Sequence, residues 1–298
     1  MKPRPALLDS SGPLYERVRH VLERMALSRP LDDDTPLPPE PRLMEEFGVS
    51  RGTLRRAVEE LTRDGLLSAE QGRGTYVNHE ERVRRVVWQR LELVARPDSR
   101  FDLDLRRFVP DFADRERAEA AVVELEAWSS SGTIFIAPDN SLEHLRELAL
   151  EAGKRVLVPT FGLRRGFVLL DGGILDPGDR ALAATLDGME RFGRRFGPAD
   201  VRSVQRVDAV VTGATAITID GRHIGGGQRY LALEWALLEQ LDVVDSTVPV
   251  IGVVHDCQVI DELVRADPDC IVDLVVTPTR LVRCREGGTV TQLRRRRV

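Results

Sequence analysis

Between positions 14 and 27, Leu14, Val18, Val21, Leu22 and Met25 recur at intervals of three and four, the spacing that lines one face of a helix. Pro30 and the acidic, proline-rich run 31–41 cannot continue that helix and read as a connector. Helical periodicity returns at 42–47 and 51–64, and the two stretches are joined by Gly48-Val49-Ser50. Gly48 suits a left-handed helix end and Ser50 a helix start. Residues 66–77 have strand-like ends around a Gln71-Gly72-Arg73-Gly74 tip, which reads as a hairpin. The pattern therefore predicts a compact helical unit with a wing. Residues 78–107 are dense in charge, with scattered Val, Leu and Trp88. Their pattern leaves open whether they form a bridging helix or lie across a second domain.

From about 108 onward the texture changes to short Val- and Ile-rich strands alternating with amphipathic helices. Strands are expected at 133–138, 155–159, 167–170, 207–212, 248–254 and 271–277, and helices at 115–127, 141–152, 182–192 and 228–241. Asp220-Gly221 reads as a hairpin turn between Ile217 and Ile224. Such alternation predicts a three-layer α/β domain with a largely parallel sheet. The expected organisation is a flexible N-terminus 1–13, a first domain 14–78, a bridging segment 79–107, a second domain 108–288 and a basic tail 289–298.

Composition narrows the picture. A net charge of −5 argues against a chain coated in positive charge, so any contact with a polyanion must come from local clustering. The three cysteines, Cys257, Cys270 and Cys284, lack paired spacing and read as reduced structural thiols. The five histidines are scattered, so no metal site is expected. No apolar run approaches the roughly 18 residues of a membrane span, and no signal-peptide pattern opens the chain, so a cytoplasmic protein is expected. Of the 43 basic residues only Lys2 and Lys154 are lysine. In so arginine-rich a background Lys154 draws notice.

The stretch 51–64 carries chemistry on its first turn. In a helix-turn-helix the second helix enters the major groove and its first residues reach base edges. Here those are Ser50, Arg51, Gly52, Thr53 and Arg55, with Arg51 and Arg55 four apart on one face. Arginine offers guanine two hydrogen bonds, while hydroxyls reach phosphate or base. The wing tip adds backbone amides and Arg73. The string GVSRGTLRRAVEELTRDGLLSAEQGRGTYV resembles the winged helix-turn-helix of the GntR family, with the likeness extending back to Leu14. The resemblance implies DNA contacts at Arg51, Thr53, Arg55 and Gly72; with Ser50 at the helix start and Arg73 at the wing tip these are the expected contacts, and paired readers in a homodimer match a palindromic operator of double-stranded DNA. Where many members carry an arginine, this chain has Pro41, which implies an altered entry and a displaced contact through Arg42.

A second resemblance covers about 108–283. The segments FVPDFADRERA, APDNSLEHLRELALEAGKRVLVPT, VDAVVTGATAITIDGRHIGGGQRYLALEWALL, VPVIGVVHDCQVIDE and CIVDLVVTPTRLV resemble the 5-formyltetrahydrofolate cyclo-ligase superfamily, closer to its methenyltetrahydrofolate-synthetase-domain-like branch than to the housekeeping enzyme. The implied fold is of the NagB/RpiA/CoA-transferase-like type, and the implied ligands are ATP with magnesium, or a folate. The family's glycine loop is kept as Gly225, Gly226 and Gly227, and a glycine turn opening onto a helix is a workable anion site. Gln228-Arg229-Tyr230-Leu231, however, replaces the aromatic-Asp-Arg ending of the enzymes. Their basic opening is reduced to Arg106 and Arg107, and arginine does not substitute for a catalytic lysine.

Further ligand-binding candidates are Lys154, which also fits a cation at a helix C-terminus, and His255 and Asp256, which follow a strand or simply cap it. Asp139-Asn140 follows an earlier strand, where Asn140 or Ser141 reads as a helix cap. Thr277-Pro278-Thr279 closes the last strand near the same rim. The expectation is a transcription regulator whose second domain senses a small anionic metabolite. The alternatives are an ATP-dependent cyclo-ligase carrying a reader domain, and a binding module with another metabolic role.

Overall fold

A computed structural model describes residues 12–31, 33–96, 109–197, 204, 206–260, 270–284 and 289–293. The chain divides into two compact units, the change falling between Val86 and Val87. Each is built on its own core.

In the first unit, α1 (Leu14–Leu27) buries Val18, Leu22 and Ala26 on the stripe that its apolar spacing marks. Helix α2 (Glu40–Phe47) buries Leu43 and Phe47, and α3 (Arg51–Arg63) buries Leu54, Ala57 and Leu61. The start of α2 lies earlier than the periodicity indicates, with Pro41 inside its first turn, where the missing N–H has no partner to lose. Gly48 ends α2 at φ 64°, ψ 38°, the left-handed conformation expected of it. Nothing lies within 4 Å of the position a Gly48 Cβ would take. Gly48→Ala is therefore expected to cost about 1 kcal/mol from backbone conformation alone, read as a small fall in the unfolding midpoint of this unit. Strands β1 (Leu67–Glu70) and β2 (Gly74–Val77) pair antiparallel, with Glu70 opposite Gly74, and form the wing. Leu37, Leu66, Leu67 and Val77 close the core. Helix α4 (His79–Leu91) follows and contains the point where the chain passes between units, so the first part of the bridging segment is helical.

The second unit contains α5 (Arg115–Val123), α6 (Glu126–Ser129), β3 (Thr133–Ile136), α7 (Glu143–Glu151), β4 (Arg155–Pro159), β5 (Phe167–Asp171), α8 (Arg180–Ala184), α9 (Met189–Phe192) and β6 (Arg194–Phe196). It continues with β7 (Ala209–Thr212), β8 (Ala216–Thr218), β9 (Arg222–Ile224), α10 (Tyr230–Gln240), β10 (Val250–Val253), β11 (Val259–Ile260), β12 (Cys270–Ile271), β13 (Leu274–Val276), β14 (Arg280–Arg283) and β15 (Thr289–Gln292). Nine strands form one sheet in the order β15-β14-β13-β10-β7-β3-β4-β5-β6. The five central strands are parallel, and β3, β7 and β10 are buried at every position, as a sheet covered on both faces requires.

The sheet is less parallel than the sequence suggests, because at its two edges β5 pairs antiparallel with both β4 and β6, and β14 with both β13 and β15. Residues 160–166 and 277–279 are too short for a parallel crossover, so each returns the chain as an antiparallel neighbour. The tail expected from 289 begins as edge strand β15, paired with β14. A second sheet, β11-β8-β9-β12, was not anticipated; its strands are too short to show periodicity. It takes Cys270 and Ile271 away from the single strand expected at 271–277. The β8–β9 hairpin has the expected Asp220-Gly221 turn, with Ile217 opposite His223.

The helix expected at 182–192 is two short helices. Thr185 Oγ1 accepts from Gly188 N at 2.9 Å, and a Cβ on Gly188 would lie 1.9 Å from the Leu182 carbonyl, so the chain turns sharply there. The helix expected at 115–127 is likewise broken at Leu125, which is extended at ψ 139°. Residues 1–11, Arg106, Arg107 and the four tail arginines lie outside the described residues.

Candidate nucleic-acid interface and ligand cavity

The first turn of α3 is assembled by its own side chains. Ser50 caps it, its Oγ accepting from Thr53 N at 3.2 Å and lying 2.9 Å from Thr53 Oγ1. Arg51 and Arg55 project from the exposed face, their side chains 60% and 55% accessible. Both converge on Glu40 at the start of α2: Arg55 Nε donates to it at 3.0 Å and Arg51 Nε lies 3.3 Å from it. Glu40 was not anticipated as part of this face. One carboxylate thus holds two guanidinium groups side by side while leaving their outer N–H groups to solvent. Beside them, Arg56 stacks 3.5 Å over the Tyr15 ring. At the wing tip Gly72 adopts φ 77°, and Arg73 pairs with Glu70 at 2.6 Å. Pro41 and Arg42 are both exposed at the start of α2. The structure places all six expected DNA-contacting residues on this one unit, with Arg51, Arg55 and Arg73 held by carboxylates rather than by one another.

In the second unit a cavity of about 120 Å³ opens where β3 and β7 end and α10 begins. The carboxyl ends of parallel strands are the customary ligand edge of such sheets. Gly225 and Gly226 form part of its wall, with Arg229 and Tyr230 at the exposed rim. Arg229 is left-handed at φ 52° and sets the first residue of α10 against the turn. Inside, the wall carries Asp139, His223 and Glu234. Asp139 Oδ2 accepts from Gly213 N at 3.0 Å, and the ring of His223 meets the Gly213 carbonyl at 2.8 Å. Glu234 is 4% exposed and has no hydrogen-bond partner among the described residues. Burial, with the negative charge of Asp139 beside it, pushes its carboxyl up to about 8. Burial raises Asp139 too, opposed by the Gly213 hydrogen bond and the charges of His223 and Arg146.

Of the residues singled out in the sequence, the structure brings Gly225 and Gly226 of the glycine turn and the strand-end pair Asp139-Asn140 to this cavity. Lys154 stands at the other end of the sheet, before β4, where its Nζ donates to the Ser131 carbonyl at 2.6 Å. Ser131 lies just beyond α6, so this contact ties the start of β4 to the chain that follows α6. His255 packs edge-on to Phe112 with centroids 5.8 Å apart, and its Nδ1 accepts from Cys257 N at 3.2 Å. Burial holds its ring below the usual range. Burial alone would raise Asp256, yet hydrogen bonds from Thr277 Oγ1 and Thr279 Oγ1 at 2.6 Å, with Arg280, keep it low. These two residues staple strand ends together. Burial pushes the Cys257 thiol up to about 11 and that of Cys284 up to about 12, so neither is a thiolate near neutrality.

Sequence reasoning missed Glu234 and His223. A signal for Glu234 was present: on α10 it shares the buried stripe of Leu231 and Leu238, and a carboxyl among core leucines asks for an explanation. The enzymes' nucleotide fits this cavity poorly. Its volume falls short of the roughly 300 Å³ at which pockets for drug-sized ligands begin. Its inner wall is acidic, and among the described residues no group of three His, Cys, Asp or Glu is placed to hold a metal ion. No described helix is long and apolar enough to cross a membrane.

The model for the bacterial regulatory proteins of the gntR family matches residues 14–77. The model for the 5-formyltetrahydrofolate cyclo-ligase family matches residues 77–278. The chain belongs to the 5-formyltetrahydrofolate cyclo-ligase family. Within that family it is 32% identical to the methenyltetrahydrofolate synthase domain-containing protein of Bos taurus over 206 residues, which are 67% of this chain and 52% of that protein. It spans about half the length of the curated relatives it matches there. The gntR-type domain, which this family member carries ahead of its cyclo-ligase domain, is similar to the HTH-type transcriptional repressor NagR of Bacillus subtilis (strain 168). The identity is 39% over 70 residues, 24% of this chain and 29% of that one. A solved structure of Aquifex aeolicus 5,10-methenyltetrahydrofolate synthetase aligns with 69% of this chain and 93% of its own, at 19% identity and a TM-score of 0.43.

Proposed function

We propose that this protein is a transcription regulator that reads DNA through the α3 face and whose cyclo-ligase-type domain has become a sensor of a small metabolite. The observation that carries the reading is the joining, in one chain, of a gntR-type domain with an exposed Ser50-Arg51-Thr53-Arg55 turn to a cyclo-ligase domain whose glycine turn runs into Gln228-Arg229-Tyr230. Two copies would place paired α3 helices on a palindromic operator, each wing reaching the adjoining backbone through Gly72 and Arg73. The metabolite enters the cavity beside Gly225 and Gly226. Its anionic end lies toward Gly227, the free amides at the start of α10 and Arg229. Its effect on DNA comes from unequal affinity for two arrangements of the dimer. The protein acts in the cytoplasm, where the DNA is. Lys154, His255 and Asp256 have no part in ligand contact in this scheme.

The full chain is expected to bind a fragment from the promoter of its own gene about 10³-fold or more tighter than random DNA, with affinity that falls steeply with salt. Fluorescence anisotropy at several salt concentrations measures both. Equal affinity for the two DNAs would defeat the reading. So would robust turnover of 5-formyltetrahydrofolate with ATP and magnesium, which the enzyme alternative predicts.

A further inference from the structure

The acidic interior of the cavity carries information about the ligand that the glycine turn does not. Glu234 is 4% exposed, lines the cavity, and finds no hydrogen-bond partner among the described residues. On an otherwise apolar stripe of α10 its carboxyl opens onto the cavity rather than onto a group of the chain, where it is placed to meet a donor on a ligand. Asp139 faces the same space from the end of β3, its Oδ2 already engaged by Gly213 N at 3.0 Å. The other charged or titratable groups around the pair are His223 on β9, Arg146 behind Asp139, and Arg229 and Tyr230 at the rim. Arg146 Nη1 is committed to the carbonyls of Ala137 and Asp139 at 2.7 and 3.2 Å, and its Nε to that of Ala184 at 2.7 Å. It supports the Asp139 loop from behind and does not line the cavity. Among the described residues, the lining therefore offers acceptors and negative charge inside and the cation of Arg229 at the rim.

We propose that the cavity takes a small metabolite whose inner end is an organic cation or a donor-rich group, an amine or amidine, gripped between the carboxyl groups of Asp139 and Glu234. The proposal deepens the sensor reading and rests on it for the choice of this cavity as the ligand site. Asp139 has the Gly213 N–H and the nearby Arg146 charge to favour its ionised form, whereas Glu234 has neither. The pair therefore shares a proton, favoured on Glu234, and an arriving cation takes that proton's place. With an anionic end at the rim and a cationic end inside, the ligand is a zwitterion. Two carboxylates without a third ligand suit an organic cation better than a divalent metal.

Benzamidine, benzamide and benzoate have nearly the same shape and differ in charge and donors, so together they test the interior. Titration calorimetry of the full-length protein is expected to show benzamidine binding about tenfold or more tighter than benzoate, with benzamide between them. Benzamidine affinity should rise from about pH 7 to about pH 9, with proton release seen as a buffer-dependent heat, because the cation needs Glu234 ionised. In Glu234→Gln, an isosteric change, both the preference and the pH dependence should vanish. Asp139→Asn keeps an oxygen for Gly213 N and serves as a second variant should the first fold poorly; it should also lose the preference. Benzoate binding as tightly as benzamidine, no benzamidine binding at millimolar concentration, or an undiminished preference in folded Glu234→Gln protein overturns the proposal. The same titrations run with promoter DNA separate the two readings. Benzamidine bound with no change in DNA affinity supports this proposal and removes the sensor. Benzoate bound instead, with DNA affinity shifted, removes this proposal and keeps the sensor.

Discussion

Replacing Arg51 by alanine is expected to weaken binding to the specific DNA site by about 1–3 kcal/mol, roughly five- to 150-fold, while binding to random DNA falls much less. The expectation follows from where Arg51 stands: on the first turn of α3, 60% accessible, its Nε turned toward Glu40 at 3.3 Å. With Nε so directed, the terminal N–H pair faces outward, the geometry with which arginine meets the two acceptors of guanine. Lysine at this position has no such pair, so Arg51→Lys should restore little of the specificity while restoring the charge-driven part. Glu40→Gln supplies the complementary measurement. An exposed ion pair of this kind contributes only about 0–1 kcal/mol, so the fold should survive. Freed from Glu40, Arg51 and Arg55 should bind phosphate less selectively, raising random-DNA affinity and lowering the ratio of specific to random binding. Anisotropy with both DNAs, at two salt concentrations, reads all three variants. An equal loss on both DNAs in Arg51→Ala would mean that the guanidinium meets phosphate alone.

The make-up of this candidate face was legible in the sequence because its determinants are local. Gly48 and Ser50 announce their backbone conformations by residue type, and the apolar stripe of α3 fixes which face remains for Arg51 and Arg55. Glu40 was not legible because its contact with Arg55 spans 15 positions and depends on how α2 packs against α3. The second unit shows the same division. Long buried strands such as β3, β7 and β10 declare themselves by unbroken Val and Ile, whereas two-residue strands such as β11 and β12 have no period to read. The glycine turn was found by its motif and does border the cavity. Lys154, His255 and Asp256 were chosen for chemistry at the ends of elements, and intramolecular partners already occupy that chemistry. Asp139 and Glu234 are nearly a hundred positions apart, brought together only by the passage of the chain from β3 to α10.

That meeting has a measurable consequence for stability. The carboxyl of Glu234 is raised from its ordinary value near 4.5 to about 8 by burial and by Asp139, so the folded state holds its proton more tightly than the unfolded chain does. Its contribution is therefore fully present below the unfolded value and is lost as pH rises through about 8. Across that interval the second unit should lose on the order of 5 kcal/mol from this ionisation, less whatever local rearrangement recovers. Glu234→Gln cannot ionise, so the variant should show a much flatter profile between about pH 5 and about pH 9 and be the more stable protein at the alkaline end. His255, Cys257 and Cys284 also titrate abnormally, but they are common to both proteins and cancel in the difference, whereas Asp139 is coupled to Glu234, so the difference reports the pair. The measurement is selective for the right unit, because all three tryptophans, Trp88, Trp128 and Trp235, lie in the second one. Urea unfolding followed by tryptophan fluorescence at a series of pH values thus reports on the cavity domain alone. Parallel profiles for the two proteins would mean that Glu234 reaches solvent or a partner in the folded state, and that the interior of the cavity is not held in the protonated form described here.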